Sequence, residues 1–304
     1  MWRVDPLSVP EADRDGDRGA HRAPAAEELV RYDAVRLFVE RARLRSPHFE
    51  LTEENVKAVA QICRGLEGMP LAIELAAARV RALSVEQIAR RLEDSLKLLR
   101  GDSRTAAPRQ RTLHATLDWS YNLLSTEERA LLRRLSVFAG GWTLEGAETV
   151  GTGDDIQEED VLELLTNLMD KSLVLAEVRA GDVRRYRLLE PVRQYARERL
   201  EESGEADAFL RRHAEFFLAL AEEAEPQLAG AHQQEWAERL EEEHDNIRAS
   251  LSWSLEKEPE MALRLAGALA RFWEMRARFW KAAGGSRRRC AKAGEPMLPR
   301  GPSS

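Results

Sequence analysis

Cysteine, aromatic residues and long apolar runs are all scarce in this chain. Its two cysteines, Cys63 and Cys290, are too few for a disulfide framework or a zinc site of the usual kind. Aromatic residues make up 6% of the sequence and charged residues 33%. Because β-sandwiches and barrels are enriched in β-branched and aromatic residues, this composition favours helices. The scarcity of cysteine is typical of a reducing compartment, so we expect a cytoplasmic protein.

Membrane and secretion signals are also missing. No apolar run reaches the roughly 18 residues that a transmembrane helix needs, so we expect no membrane association. The first 20 residues carry aspartate and arginine where a secretory signal would need an apolar core. The net charge is -7 at pH 7. An acidic chain is a poor general nucleic-acid binder, because attraction to phosphate drives that binding.

The sequence lacks the common catalytic signatures. It contains no Gly-x-x-x-x-Gly-Lys-Ser/Thr loop, no His-Glu-x-x-His and no Gly-x-Ser-x-Gly, and its six histidines are scattered. The acidic run at 241–245 includes His244, but adjacent residues on a helix point in different directions. That run is therefore more typical of a solvated helix face than of a metal site. We predict no catalytic residue, no bound metal and no enzymatic activity for this chain.

Hydrophobic spacing divides the 304 residues into five segments. It predicts a linker at 1–28, a domain of four helices at 29–105, a winged-helix domain at 106–205, further helices at 206–281 and a disordered basic tail at 282–304. The first helix of the four has an apolar stripe at three- and four-residue spacing, formed by Tyr32, Val35, Phe38, Val39 and Ala42. Thr52 is a predicted N-cap of the second helix, and Pro70 opens the third.

The winged-helix prediction depends on the order of the elements. Residues 113–124, 126–138 and 158–170 are predicted helices, and a short segment at 143–150 lies between the last two. A hairpin at 172–178 and 185–189 follows, and then a helix at 191–202. Trp119 lies in a stripe that we place in the core of this domain, with Thr112, Ala115 and Leu123.

The sequence Gly68-Met69-Pro70-Leu71-Ala72 resembles the Gly-Leu-Pro-Leu-Ala signature of NB-ARC and related STAND signal-transduction ATPases, with Met69 in place of leucine. Residues 2–7 resemble the last strand of that family's nucleotide-binding core, and residues 32–42 resemble the first helix of its helical lid. Residues 112–121 and 135–142 are similar to the winged helix of LuxR/AfsR-like bacterial transcriptional regulators. Residues 244–249 look like the start of a tetratricopeptide-like (TPR-like) array, although one helix pair cannot show a period.

The resemblance implies a nucleotide site shared with a core that would precede residue 1. In the family the signature proline packs on adenine, which implies adenine contacts from Met69, Pro70 and Leu71. The family often carries Met-His-Asp after the wing, and that histidine touches the β-phosphate. Here the matching residues are Leu188-Leu189-Glu190, and a leucine cannot donate a hydrogen bond to phosphate. The candidate phosphate-side residues are Glu190, Arg187 and Arg193. We expect ATP or ADP only when the chain is joined to that core, and no cofactor for this chain alone.

The resemblance thus implies a regulatory part of a nucleotide-switched transcriptional regulator. It would act through packing between domains and would sense a protein partner or inducer through its C-terminal helices. A free-standing helical scaffold that binds protein partners is an alternative, and a DNA-binding winged-helix protein is a weaker one. DNA contact is not expected, because the predicted third helix sets one cation, Lys171, against five acids: Glu158, Glu159, Asp160, Glu163 and Asp170.

Overall fold

Fourteen α-helices and one antiparallel hairpin make up the described part of the chain, which confirms the predicted mainly α class. The computed structural model describes residues 6–10, 26–102, 108–178 and 184–277. The turn of the predicted hairpin, most of the predicted linker and the predicted disordered tail lie outside these residues.

The elements follow the chain in this order: α1 (Ala26–Leu29), α2 (Asp33–Arg45), α3 (Val56–Gly65), α4 (Pro70–Ala77), a 3-10 turn (Ala78–Arg81), α5 (Val85–Asp102), α6 (Pro108–Asn122), α7 (Thr126–Leu135), α8 (Leu144–Gly151), α9 (Glu158–Asp170), β1 (Leu175–Val178), β2 (Arg184–Arg187), α10 (Glu190–Glu202), α11 (Ala206–Gln227), α12 (Gln233–Glu242), α13 (His244–Lys257) and α14 (Pro259–Ala268). We call α1–α5 the lid helices.

Contacts group the described residues into two units. One unit holds the residues up to Val137 together with Gly141–Phe209. The other holds Phe138–Gly140 together with the residues from Leu210 onward. A three-residue segment between α7 and α8 therefore belongs to the second unit, although both neighbouring helices belong to the first.

The lid helices follow the predicted apolar spacing. On α2 the residues Val35, Phe38, Val39 and Ala42 are buried, and Tyr32 is the N-cap. The predicted cap of α3 is wrong, because that helix begins at Val56 with Asn55 as its N-cap. Thr52 instead closes the turn before the helix. Its backbone N–H donates to Oδ1 of Asn55 at 2.9 Å, and its Oγ1 accepts from the backbone N–H of Asn55 at 3.4 Å.

Helix α6 is buried on nearly all sides because it is shared between two sets of helices. Trp119 is 5% exposed and belongs to the apolar core of the lid helices. Asp118 accepts a hydrogen bond from the hydroxyl of Tyr195 on α10 at 2.8 Å. The hydroxyl of Tyr121 accepts one from Arg133 on α7 at 3.0 Å. A helix that is covered all round lies inside a fold rather than on its surface.

The predicted location of Trp119 is therefore wrong in part. The side chain is buried, as predicted, but the core that encloses it is that of the lid helices. Leu113 and Leu123 pack against the same core. Periodicity identifies the buried face of a helix, but it does not identify the neighbour that covers that face.

A capping box starts α7. The hydroxyl of Ser125 accepts from the backbone N–H of Glu128, and the Glu128 carboxylate accepts from the backbone N–H of Ser125. Near the end of this helix, Arg134 is 3% exposed. Its guanidinium donates to the carbonyl of Gly151 and to the carboxylates of Asp155 and Glu205. This buried cation fixes the turn between α8 and α9.

The winged-helix arrangement is formed by α7, α8, α9 and the hairpin. The segment at 143–150, to which the sequence gave no secondary structure, is the helix α8, and the hydroxyl of its N-cap Thr143 accepts from the backbone N–H of Gly146. The helices α7, α8 and α9 pack on one another. Strands β1 and β2 pair antiparallel, with Leu175 opposite Arg187. Trp142 forms a bridge to Tyr186 and so adds a third, very short strand to the wing.

Apart from the segment Phe138–Gly140 and short turns between helices, the described residues of the second unit are helical. The helices α13 and α14 pack together as a pair, and α12 packs on α13. The apolar side chains buried in this unit include Phe217, Leu228, Leu240, Ile247 and Leu265. One such pair shows no repeat period, so TPR-like packing stays a prediction.

Replacing Trp119 and Pro70 separately tests the core of this first unit. Trp119→Ala is expected to lower the free energy of unfolding by about 3–5 kcal/mol, because a large buried side chain leaves a cavity. Pro70 is exposed at the first position of α4, so Pro70→Ala is expected to change the free energy of unfolding by about 1 kcal/mol or less. Thermal and chemical denaturation of both variants measure the two values. A large loss in Pro70→Ala and none in Trp119→Ala would contradict the described core.

Candidate functional site

The residues that resemble the ATPase signature form a sharp corner between α3 and α4. Glu67 and Gly68 both have positive φ, 52° and 68°, which turns the chain through the left-handed region. A Cβ on Gly68 would lie 2.2 Å from the backbone oxygen of Leu7. The backbone N–H of Leu7 also donates to the carbonyl of Gly68 at 3.0 Å. Gly68 is required because the segment at 6–10 passes so close to this corner.

The three predicted adenine contacts lie together at the start of α4. Met69 is the N-cap and is half-buried against the lid core, Pro70 is exposed at the first helical position, and Leu71 is half-buried. Pro70 has no backbone N–H, so this exposed surface is apolar and has no competing donor. Such a surface fits a flat heteroaromatic ring.

The predicted phosphate-side residues lie at the wing and at the start of α10. Leu189 is the N-cap of α10 and Glu190 is its first residue. Arg193 donates two hydrogen bonds, each 2.8 Å, to the carboxylate of Glu190, and these bonds lower the pKa of that carboxyl. Arg187 lies on β2, where its guanidinium binds the carboxylate of Glu177 on β1. Both arginines are thus paired with carboxylates of this chain.

The carboxyl end of α9 is held by two lid arginines that the sequence analysis did not single out. Arg45 donates to the Asp170 carboxylate at 3.0 Å and to the carbonyl of Met169 at 2.6 Å. Arg81 donates to the other Asp170 oxygen at 3.0 Å. We call Arg45, Arg81 and Asp170 the arginine clasp. The residues lie 89 and 125 positions apart in the chain, so no local pattern could reveal the pairing.

A second set of charges lies beside the clasp. Lys171, which directly follows α9, forms an ion pair with Glu128 of α7. Arg79, in the 3-10 turn of the lid, is 4% exposed and donates to the carbonyl of Ser120 on α6 at 3.2 Å. Burial lowers the pKa of Arg79 to about 10, and the attraction of Glu128 opposes this shift. Lys171, the one cation that the sequence sets against the acids of the third helix, is therefore paired with a carboxylate of this chain.

The outer surface of α9 is acidic. Glu158, Glu159, Asp160 and Glu163 are all exposed, as the sequence predicted. On the neighbouring helix α8, burial together with the carboxylates of Glu158 and Glu145 raises the pKa of Glu148. A helix that reads the major groove would bring this surface toward phosphates, which repel carboxylates.

Two further observations bear on the chemistry of the described residues. Within residues 6–10, 26–102, 108–178 and 184–277, no group of three or more histidine, cysteine, aspartate or glutamate side chains is arranged to hold a metal ion. Over the same residues, no helix has both the length and the apolar character needed to cross a membrane.

Comparison with known proteins identifies the fold around the clasp. Residues 124–201 match the sequence model of the family described as "Winged helix-turn-helix domain". Over 246 residues, 81% of this chain, the sequence is 46% identical to proteins of Mycobacterium tuberculosis and Mycobacterium bovis that are each named "Putative HTH-type transcriptional regulator". It is 44% identical over 213 residues to an uncharacterized protein of Mycobacterium tuberculosis.

These relatives are longer than this chain. The matched region makes up 28% of each of the two proteins named as regulators and 49% of the uncharacterized one. The family match covers the described helices α7, α8 and α9, the hairpin and nearly all of α10. Residues 124–201 therefore form a winged helix-turn-helix domain.

Proposed function

We propose that this chain is a regulatory part of a nucleotide-switched transcriptional regulator of the STAND class. The names of the relatives support the regulatory role in this proposal. They indicate no catalytic family, in agreement with the prediction that this chain is not an enzyme. The observation that carries the switch is the arginine clasp, which links the lid helices to the carboxyl end of α9. The winged helix would then act as a packing module whose orientation against the lid helices changes as the clasp is made or broken.

The clasp has the energetic properties of a reversible contact. Arg45, Arg81 and Asp170 are 29%, 71% and 40% exposed, so water screens their charges. Ion pairs of this kind contribute roughly 0–1 kcal/mol each. A switch needs two states that differ by only a few kcal/mol, because a ligand shifts an equilibrium by no more than its difference in affinity. Contacts of this strength can be exchanged when a neighbouring domain moves.

A nucleotide would bind at the start of α4. Pro70 and its neighbours Met69 and Leu71 would face adenine, while a nucleotide-binding core in the longer protein would supply the phosphate site. When bound, ATP or ADP supplies the phosphate charge that distinguishes the two states. This chain contributes the apolar face and the corner at Gly68, which is fixed by the neighbouring Leu7 backbone. The helices from α11 onward would sense a protein partner or inducer.

Two alternatives are tested alongside this proposal. A free-standing scaffold that binds protein partners would also use these helices but would need no nucleotide core. A DNA-binding role gains support from the winged helix-turn-helix match and from the relatives' names, although the sequence counted against it. The acidic surface of α9 and the internal pairing of Lys171 favour the packing module.

We expect this chain alone to bind ADP weakly or not at all. Most nucleotide affinity comes from backbone N–H groups that surround phosphate at a helix N-terminus, and the described residues show no such cradle. Calorimetric titration of the wild-type chain and of Pro70→Ala with ADP measures this. Sub-micromolar binding by the wild-type chain would contradict the proposed division of the site between this chain and a core.

We also expect no sequence-selective DNA complex, even when the Arg45 contacts of the clasp are removed. Arg45→Ala removes the contacts to Asp170 and to the Met169 carbonyl, and the acidic surface of α9 would still repel phosphate. Arg36→Ala is the matched control, because Arg36 lies on the same helix and pairs locally with Asp33. A mobility-shift assay with pooled duplexes at physiological salt compares these two variants and Arg184→Ala with the wild-type chain.

Two outcomes of that assay would contradict the packing-module account. A discrete complex formed by Arg45→Ala alone would mean that the clasp inhibits a DNA-binding helix. A wild-type complex that is lost in Arg184→Ala, which changes an exposed arginine of the wing, would support the DNA-binding alternative.

A further inference from the structure

The segment Phe138–Gly140 connects α7 to the residues before α8, but its contacts lie in the second unit. The segment and its partner residue on α13 both lie in runs that the sequence analysis singles out for their resemblance to regulator sequences. The segment lies within the run at 135–142, and its partners lie at the start of α13, within the run at 244–249.

Asn246 is the centre of these contacts. Its side chain is fully buried, and its Oδ1 accepts from the backbone N–H of Ala139 at 2.8 Å and from that of Gly140 at 3.4 Å. Its Nδ2 donates to the Glu243 carboxylate at 2.7 Å. Ala139 and Gly140 are exposed, whereas Asn246 is buried, so these hydrogen bonds anchor the segment to α13.

Phe138 is held by a second buried group, the imidazole of His213. The two rings lie edge to face, with centroids 5.0 Å apart, and the His213 ring also contacts Phe217 at 4.7 Å. Nδ1 of His213 lies 3.0 Å from the hydroxyl of Ser250 on α13. The helices α11 and α13 therefore both contact this one segment.

Gly140 fits closely against α13. A Cβ on Gly140 would lie 3.2 Å from the Cβ of Asp245, so there is little free space at this point. A small movement of α13 would therefore displace the segment through direct contact as well as through hydrogen bonds.

The residues that follow this segment build the edge of the wing. Gly141 has a φ of 93°, and a Cβ there would lie 2.7 Å from the backbone oxygen of Tyr186. Trp142 and Tyr186 exchange two backbone hydrogen bonds, each 2.8 Å long. Only Gly141 separates the segment from this bridge. The strand β2, which contains Tyr186, ends at Arg187, two residues before Leu189 caps α10.

We propose that Phe138–Gly140 is a relay segment, through which a change in α11 and α13 is transmitted along the chain to the wing. A partner that shifts α13 would move Asn246, the relay segment would follow because its N–H groups are bound there, and the Trp142–Tyr186 bridge would be strained or released. This role goes beyond nucleotide switching, because it needs no nucleotide and applies equally to a partner-binding scaffold.

Amide hydrogen exchange of the whole chain tests the relay. In Asn246→Ala we expect the Ala139 amide to exchange about tenfold faster, since it loses its buried acceptor. The relay also predicts faster exchange, by about threefold or more, at the amides of Trp142 and Tyr186, whose own hydrogen bonds are untouched by the substitution. Ser254→Ala is the matched control, because Ser254 lies two turns further along α13 and its buried hydroxyl makes no hydrogen bond within the described residues.

Faster exchange at Ala139 with no change at Trp142 and Tyr186 would overturn the proposal, because the segment would then be only a local anchor. If Asn246→Ala does not fold, Gly140→Ala perturbs the same contact more mildly from the other side. Its added methyl group presses on Asp245, and faster exchange at Trp142 and Tyr186 is again expected. Gly267→Ala, where an added Cβ meets nothing within 4 Å, is the control for that variant. Unchanged wing amides in Gly140→Ala would count against the relay.

Discussion

Burial of α6 between the lid helices and α10 is the interaction on which the first unit depends. Trp119 contributes to the lid core, while Asp118 and Tyr121 on the same helix bind side chains of α10 and α7. A helix covered on several sides cannot leave one neighbour without exposing apolar surface, at about 25 cal/mol per Å². The lid helices and the winged helix are therefore joined through α6, and the polar contacts around this helix act within that constraint.

The arginine clasp differs from this core in strength and in kind. Its side chains are partly exposed and its geometry is directional, so it sets orientation more than stability. The clasp and the Lys171–Glu128 pair engage the carboxyl end of α9. The amino-terminal end, which contacts base edges in a DNA-reading helix, carries the exposed acids Glu158, Glu159 and Asp160. The acids on the remaining surface of α9 are consistent with a helix that faces water or another protein. Together these features support a winged helix that works through packing.

Local patterns in the sequence predict much of this structure. The bounds of α9, the start of α4 at Pro70 and the buried stripe of α2 follow from periodicity, charge and proline chemistry. The cap of α3 was misplaced by three residues, because Thr52 and Asn55 are both good capping residues and only the local turn decides between them. The helix α8 was missed because eight residues are too few to show a period.

Some residues of the candidate sites could be predicted from local sequence, and others could not. Pro70 and Glu190 can be located from motifs, because a proline in the first turn marks the start of each helix. Pro70 is itself the first residue of α4, and Glu190, the first residue of α10, is followed by a proline. Three other contacts are made between residues that are far apart in the chain: the packing of Trp119 in the lid core, the arginine clasp, and the hydrogen bond from Ala139 to Asn246. Such pairings are determined by how the elements pack, which a single sequence does not encode in any local window.

Native-state hydrogen exchange in increasing denaturant tests most directly the central claim, that the burial of α6 joins the lid helices to the winged helix. The slowest amides of α3 in the lid and of α9 in the winged helix should converge on one opening free energy, because the burial of α6 joins them into one cooperative unit. Two separate values, with α9 opening while α3 stays protected, would contradict the account and would mean that the winged helix folds and acts independently of the lid.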